Sequence, residues 1–371
     1  MYLKSLMICL AIFMQYFATG TRVICYYESW NAYDGYNPED FDASLCTHIN
    51  YAFMGLWEDG NVKVEDDSLD IDQGLYKRVT DLKQKNPNLK VLLSVGGGSD
   101  GVAELFAGMA VDAAKRGAFI GSASYFISTY NFDGLDIDWE YPNEADRENY
   151  INLLRQVRSA FNEHGWLLTV AASADPNGYA YNVPEMNEIL DWINVMTYDM
   201  YGSWSEYTGQ CSPLYASSVE TEWERNTLNL AAAGNNWVNA GASKDKLAMG
   251  LAFYGRSFTL SDPNQHGLHA PFDTIGVGDG APSYRQICEN YDSWTRVWDD
   301  EQKNPYKYSE NQWIGYDDPD SIWIKTDYIK ANNFGGVMIW AIDGDDVHGS
   351  CGLAQTLLKH VNGALGNIDC C

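Results

Sequence analysis

Eight short apolar runs recur along the chain, at 23–27, 48–53, 91–95, 134–137, 168–171, 192–196, 247–251 and 336–340. Turn residues bound them, and helix-like segments separate most of them, at 75–84, 112–129, 144–163, 221–240 and 326–331 among others. Strands that alternate with helices pair in parallel through right-handed crossovers. Eight such units predict an α/β fold of the closed (β/α)8 barrel type rather than an open doubly wound sheet. No GxGxxG follows the first run, which argues against dinucleotide binding. More than eighty residues part the seventh run from the eighth. A structureless loop of that length is out of place in a compact domain, so 253–322 is expected to form a small α+β lobe inserted between strand 7 and helix 7.

Residues 1–20 read as a signal peptide. Lys4 gives the positive start, Leu6 to Phe17 the apolar run, and Ala18 and Gly20 the small residues before a cut near Thr21. The run is too short to span a bilayer. A secreted, extracellular chain of residues 21–371 follows, built as one barrel domain. It keeps seven cysteines: Cys25, Cys46, Cys211, Cys288, Cys351, Cys370 and Cys371. An oxidising compartment pairs most of them, and the odd count leaves at least one over. No CxxC or Cys/His cluster has zinc spacing, so no metal is expected.

Lys and Arg number 24 against 51 Asp and Glu, a net charge of −27. Such a surface repels nucleic acid and anionic membranes and suits a neutral or cationic substrate. Neither nucleic acid nor membrane is expected as a partner. The 13 Trp and 25 Tyr exceed what a core of this size needs, and spare rings can serve as stacking faces in a cleft.

The segment Asp133-Gly-Leu-Asp136-Ile-Asp138-Trp-Glu140-Tyr-Pro142 carries the chemistry. Alternate side chains on a strand share a face, so Asp136, Asp138 and Glu140 point into the barrel while Leu135, Ile137 and Trp139 face the helices. Neighbouring acids then stand roughly 6.6 Å apart and, at an effective dielectric of about 20, repel by about 2.5 kcal/mol if both are charged. Desolvation adds to that cost. Protons held within the ladder relieve it, so one acid stays neutral near neutral pH. A protonated carboxyl at the mouth of a cleft is what a general acid needs. Glu140, at the C-terminal end of its strand where barrel active sites sit, is the expected proton donor. Asp133 has the wrong parity to join the ladder and is expected to support the turn before it.

With its DxxDxDxE run, the chain resembles glycoside hydrolase family 18, the chitinases, in their secreted animal type without a separate chitin-binding module. The other motifs follow in order: Lys90-Val-Leu-Leu-Ser-Val-Gly-Gly97, Met196-Thr-Tyr-Asp199, Tyr254-Gly-Arg256-Ser-Phe and Gly335-Gly-Val-Met-Ile-Trp340. The resemblance implies hydrolysis of β-1,4 links between N-acetylglucosamine units of chitin and chitooligosaccharides, endo-acting and retaining, by a monomer that needs no cofactor. The substrate assists in this family. Glu140 then protonates the glycosidic oxygen, and the acetamido carbonyl oxygen attacks C1. Asp138 accepts a hydrogen bond from the acetamido N–H, Asp136 shares a proton with Asp138, and Tyr198 holds the acetamido carbonyl. Trp340 floors the central sugar, and Tyr27, Phe53, Gly97, Trp139, Met196, Asp199, Trp204, Tyr254 and Arg256 contribute to substrate binding. Disulfides Cys25–Cys46 and Cys288–Cys351 are implied as well, with Cys211, Cys370 and Cys371 unassigned. Gly98 stands where the family has Trp, Tyr201 where it often has His, and Gly344 and Val347 interrupt the run after the eighth strand. Two alternatives stay open: a chitinase-like lectin, although such relatives usually lack the acid found here at Glu140, and an endo-N-acetylglucosaminidase acting on N-glycans.

Overall fold

The computed structural model describes residues 20–370. Apart from Gly20, the expected signal peptide lies outside them. Strands β1 (Arg22–Glu28), β2 (His48–Leu56), β3 (Lys90–Gly96), β4 (Gly134–Asp138), β5 (Leu167–Ser173), β6 (Trp192–Met196) and β7 (Leu247–Ala252) stand side by side in chain order. The last barrel strand, Gly336–Trp340, lies between β7 and β1, and β1 also pairs with β2, so the parallel sheet closes on itself. All eight predicted runs are strands of this barrel.

These strands are buried on both sides. In β4, β6 and β7 every residue is buried. One parity packs on the helices, as Leu135, Ile137, Val170, Val195, Met249 and Ile339 do. The other fills the barrel, as Ile24, Tyr26, Leu92, Ala171, Ala248 and Met338 do. Near-continuous apolar strands follow from that double burial.

Helices Ala113–Tyr130 and Arg147–Asn162 sit where the sequence places them. Asp112 caps the first through Ala114 N and Lys115 N. The expected helix over 221–240 is two. Leu228 leaves helical dihedrals at φ −96°, ψ 49°, and Asn229 starts a second helix, Leu230–Ala240, by accepting from Ala232 N. Val102–Val111 and Thr356–Leu365 are further helices.

After β7 the chain leaves the barrel for a lobe. Strands β8 (Arg256–Leu260), β9 (Phe272–Ile275), β10 (Thr295–Asp299), β11 (Asn304–Ser309) and β12 (Gln312–Gly315) form an antiparallel sheet in the order β9-β8-β12-β11-β10, with the helix Tyr284–Asn290 beside it. Met200 and Tyr201, from the loop after β6, pack on Phe258 and Trp313 of this sheet. The lobe therefore stands over the C-terminal mouth of the barrel.

Cys25 is bonded to Cys46, and Cys288 of the lobe helix to Cys351. Cys370 is also disulfide-bonded, while Cys211 is free and buried. Among the described residues no helix is long and apolar enough to cross a membrane.

Candidate active site

Asp136 lies in the barrel centre, fully buried, level with Ser94 on β3 and Thr169 on β5. Its Oδ2 accepts from Tyr26 Oη at 2.7 Å and Ser94 Oγ at 2.8 Å. Its Oδ1 accepts from Thr169 Oγ1 at 2.6 Å and Asn194 Nδ2 at 3.1 Å. Burial pushes the Asp136 pKa up, and these four bonds hold it back. Asp138, one step closer to the mouth, is 2% exposed, and its Oδ1 has no hydrogen-bond partner. Its carboxyl is raised well above the usual range, by burial first, then by the charges of Glu140 and Asp136. Glu140 is partly exposed and lines the pocket above. Burial raises its pKa too, with a hydrogen bond from Tyr141 pulling it back and the charge of Asp199 pushing it up.

The three acids thus grade from sealed and fully bonded to open and sparsely bonded. Each Asp136 oxygen has two hydrogen-bond partners, whereas Asp138 Oδ1 has none.

The pocket above the ladder measures about 280 Å³. Phe53, Gly98, Tyr141, Met196, Tyr198, Asp199, Tyr254 and Trp340 line it around Asp138 and Glu140. Phe53 stacks on Trp340 at 5.5 Å and 21°, and Trp30 stacks on Phe53 at 6.2 Å and 30°. Burial and the charge of Asp138 raise the Tyr198 phenol far above its usual range, so its hydroxyl stays protonated and can donate. Asp199 adopts a left-handed φ of 56° and accepts from Tyr254 Oη and Arg256 Nε, both at 2.7 Å. The Arg256 guanidinium lies 5.1 Å from the Trp204 ring and 5.6 Å from that of Tyr254.

Two expected cleft residues are elsewhere. Tyr27 points at the helix side, donates to Tyr36 O at 2.8 Å and packs on Phe41 and Tyr51. Its neighbour Tyr26 has the inward parity. Trp139, 1% exposed, stacks on Phe106 at 5.4 Å and meets Tyr150 edge-on, as the parity of the ladder requires. Gly97 is one position short of the pocket. It sits under Phe53, where a Cβ would come within 2.7 Å of that ring, and Gly98 lines the cavity instead. Trp204 stands in an adjoining groove, and Arg256 in a second pocket beside Trp340. Asp133, at the far end of the barrel, accepts from Val91 N and pairs with Lys83 and Lys90.

The donors that fix Asp136 were not singled out from the sequence, nor were Tyr141 and Trp30. Ser94, Thr169 and Asn194 carried a readable signal: each is a polar residue inside an otherwise apolar strand, a placement that costs free energy unless it is paired.

A family model described as "Glycosyl hydrolases family 18" matches residues 22–345. An endochitinase of Manduca sexta is 37% identical over 91% of this chain, which spans 66% of that relative's length. A Group IV chitinase of Ostrinia furnacalis, solved in complex with allosamidin, superposes with a TM-score of 0.90 at 38% identity, covering 94% of this chain and 99% of the other. Human YKL-39, described as a pseudo-chitinase with retained chitooligosaccharide binding, superposes with a TM-score of 0.87 at 32% identity, covering 93% and 100%. With its graded acids at the mouth of a closed barrel and a match that runs through all but the ends of the sequence, the chain belongs to glycosyl hydrolase family 18.

Proposed function

We propose that this chain is a secreted enzyme that hydrolyses β-1,4 links between N-acetylglucosamine units in chitin and chitooligosaccharides, with retention and with Glu140 as proton donor. The observation that carries the reading is the gradient along the ladder: Asp136 sealed by four donors, Asp138 buried with a bare oxygen, Glu140 facing the pocket. Two disulfides in the described barrel and lobe fit an oxidising compartment.

The sugar at the bond to be cut lies over Trp340. The bare Oδ1 of Asp138 accepts the acetamido N–H, and the Tyr198 hydroxyl donates to the acetamido carbonyl. Both contacts aim that carbonyl oxygen at C1, where it displaces the leaving sugar as Glu140 gives its proton to the departing oxygen. A cyclic oxazolinium ion forms, and the negative charge of Asp138 stabilises it. Water then attacks C1 from the side the leaving sugar vacated, and Glu140, now a base, takes its proton back. Asp136 acts through position: fixed by Tyr26, Ser94, Thr169 and Asn194, it stands beneath Asp138, with which it shares a proton in this reading.

The test uses chitin oligomers that carry a fluorescent leaving group, beside an N-glycosylated protein and a fully deacetylated polymer. Release from the acetylated oligomers alone is expected. No release at any acidic or neutral pH would favour the lectin reading. Preferential release from the glycoprotein would favour an endo-N-acetylglucosaminidase, and rapid cutting of the deacetylated polymer would rule out the acetamide as nucleophile.

A further inference from the structure

The pocket over the ladder opens on one side into a larger groove of about 760 Å³. The two share Tyr141, Met196, Tyr198 and Asp199, while Phe53, Gly98 and Trp340 line the smaller pocket and not the groove. The groove therefore leads away from the Trp30–Phe53–Trp340 stack. If one sugar ring fills the 280 Å³ pocket, the groove has room for more than one.

Two of its wall residues are tryptophans with their rings in solvent, Trp204 at 59% exposure and Trp223 at 63%. The other exposed tryptophans each have a partner: Trp30 stacks on Phe53, Trp57 lies under Lys63, Trp204 under Arg256, and Trp323 meets His360. Among the described residues Trp223 has no such ring or cation neighbour. It sits in the first turn of the short helix Glu222–Thr227, which a salt-bridging or merely solvated residue would serve as well. An indole left bare keeps a large apolar face in water, a cost that stacking on the apolar face of a sugar ring removes. Asp175, Ser205 and Glu206 on the same walls offer polar groups to sugar hydroxyls.

We propose that Trp223, with Trp204 on the walls of this groove, forms a distal subsite for further sugar units of the same substrate, so that the cleft extends past the Tyr198 and Asp199 side of the catalytic pocket. The proposal rests on the chitooligosaccharide reading above and gives it a length dependence. Affinity should rise with each unit that reaches Trp223, and substrates too short to reach it should gain nothing from that ring.

The experiment measures binding, so that it does not depend on turnover. Calorimetric titration of the Glu140→Gln protein with N-acetylglucosamine dimers and hexamers gives a ratio of affinities. Adding Trp223→Ala is expected to lower the hexamer-to-dimer ratio about tenfold, whereas Trp223→Phe, which keeps a ring, should restore most of it. An unchanged ratio in Trp223→Ala, or an equal loss for both ligands, would overturn the subsite. If wild type binds the hexamer with this Trp223 dependence yet releases no product, the subsite stands and the hydrolytic reading falls.

Discussion

Replacing Asp138 by Asn removes the middle charge of the ladder with almost no change of shape. Asp138 has a carboxyl neighbour on each side, is 2% exposed and leaves Oδ1 without a partner. Two full charges roughly 6.6 Å apart at an effective dielectric of about 20 repel by about 2.5 kcal/mol. Burial, then Glu140, then Asp136 push the Asp138 carboxyl well up from its ordinary value. The sign follows from linkage. The folded protein holds this proton more tightly than the unfolded chain, whose Asp titrates near about 3.9. Wild type therefore loses stability as pH rises from that value through the folded-state pKa, and the loss is complete above it. Asp138→Asn has nothing to titrate there. The variant is expected to gain about 1–3 kcal/mol over wild type at neutral pH, and the gain should vanish at a pH below the unfolded-state value. Urea unfolding followed by tryptophan fluorescence at the two pH values measures the difference. A stability difference that is the same at both would refute the reasoning, because it would mean that folding leaves the proton affinity of Asp138 unchanged. Hydrolysis should be lost in the same variant, which would make the ladder a place where stability is given up for chemistry.

Trp139→Ala should cost about 3–5 kcal/mol of stability, since it empties a core site between Phe106 and Tyr150. Calorimetry and KM measured together check this, and a large rise in KM with little loss of stability would return Trp139 to the cleft. Gly98→Ala places a Cβ 3.3 Å from both Glu140 carboxyl oxygens. The carboxyl must shift by a few tenths of an ångström, so kcat should fall about tenfold with KM little changed; an unchanged kcat would show that the position of Glu140 has slack.

The barrel was legible because its signal repeats: eight apolar runs, each too short for a helix and each bounded by turn residues. The break at Leu228 was harder to read, since only the Asn229 cap interrupts an otherwise helical stretch. The helix Val102–Val111 abuts the next one, with Asp112 as the only stop between them. In the site, the ladder could be read from parity alone, because an acid on a barrel strand has to face inward. Parity gave the right face for Trp139 where the family pattern did not. Tyr26 and Tyr27 could not be told apart in that way. β1 is buried on both faces, so its residues show no alternation to reveal which ring faces Asp136. The donors around Asp136 come from strands far apart in sequence, and only the closed sheet brings them to one carboxylate.

The donor role of Glu140 is tested most directly by kcat and oligosaccharide affinity measured side by side in Glu140→Gln. The amide keeps the shape of the side chain and has no proton to give. Turnover is expected to fall at least a hundredfold, about 10² to 10⁴ being the usual worth of a general acid, with affinity for the uncut oligomer kept. Turnover within about tenfold of wild type would contradict the account, since some other group would then be protonating the leaving sugar.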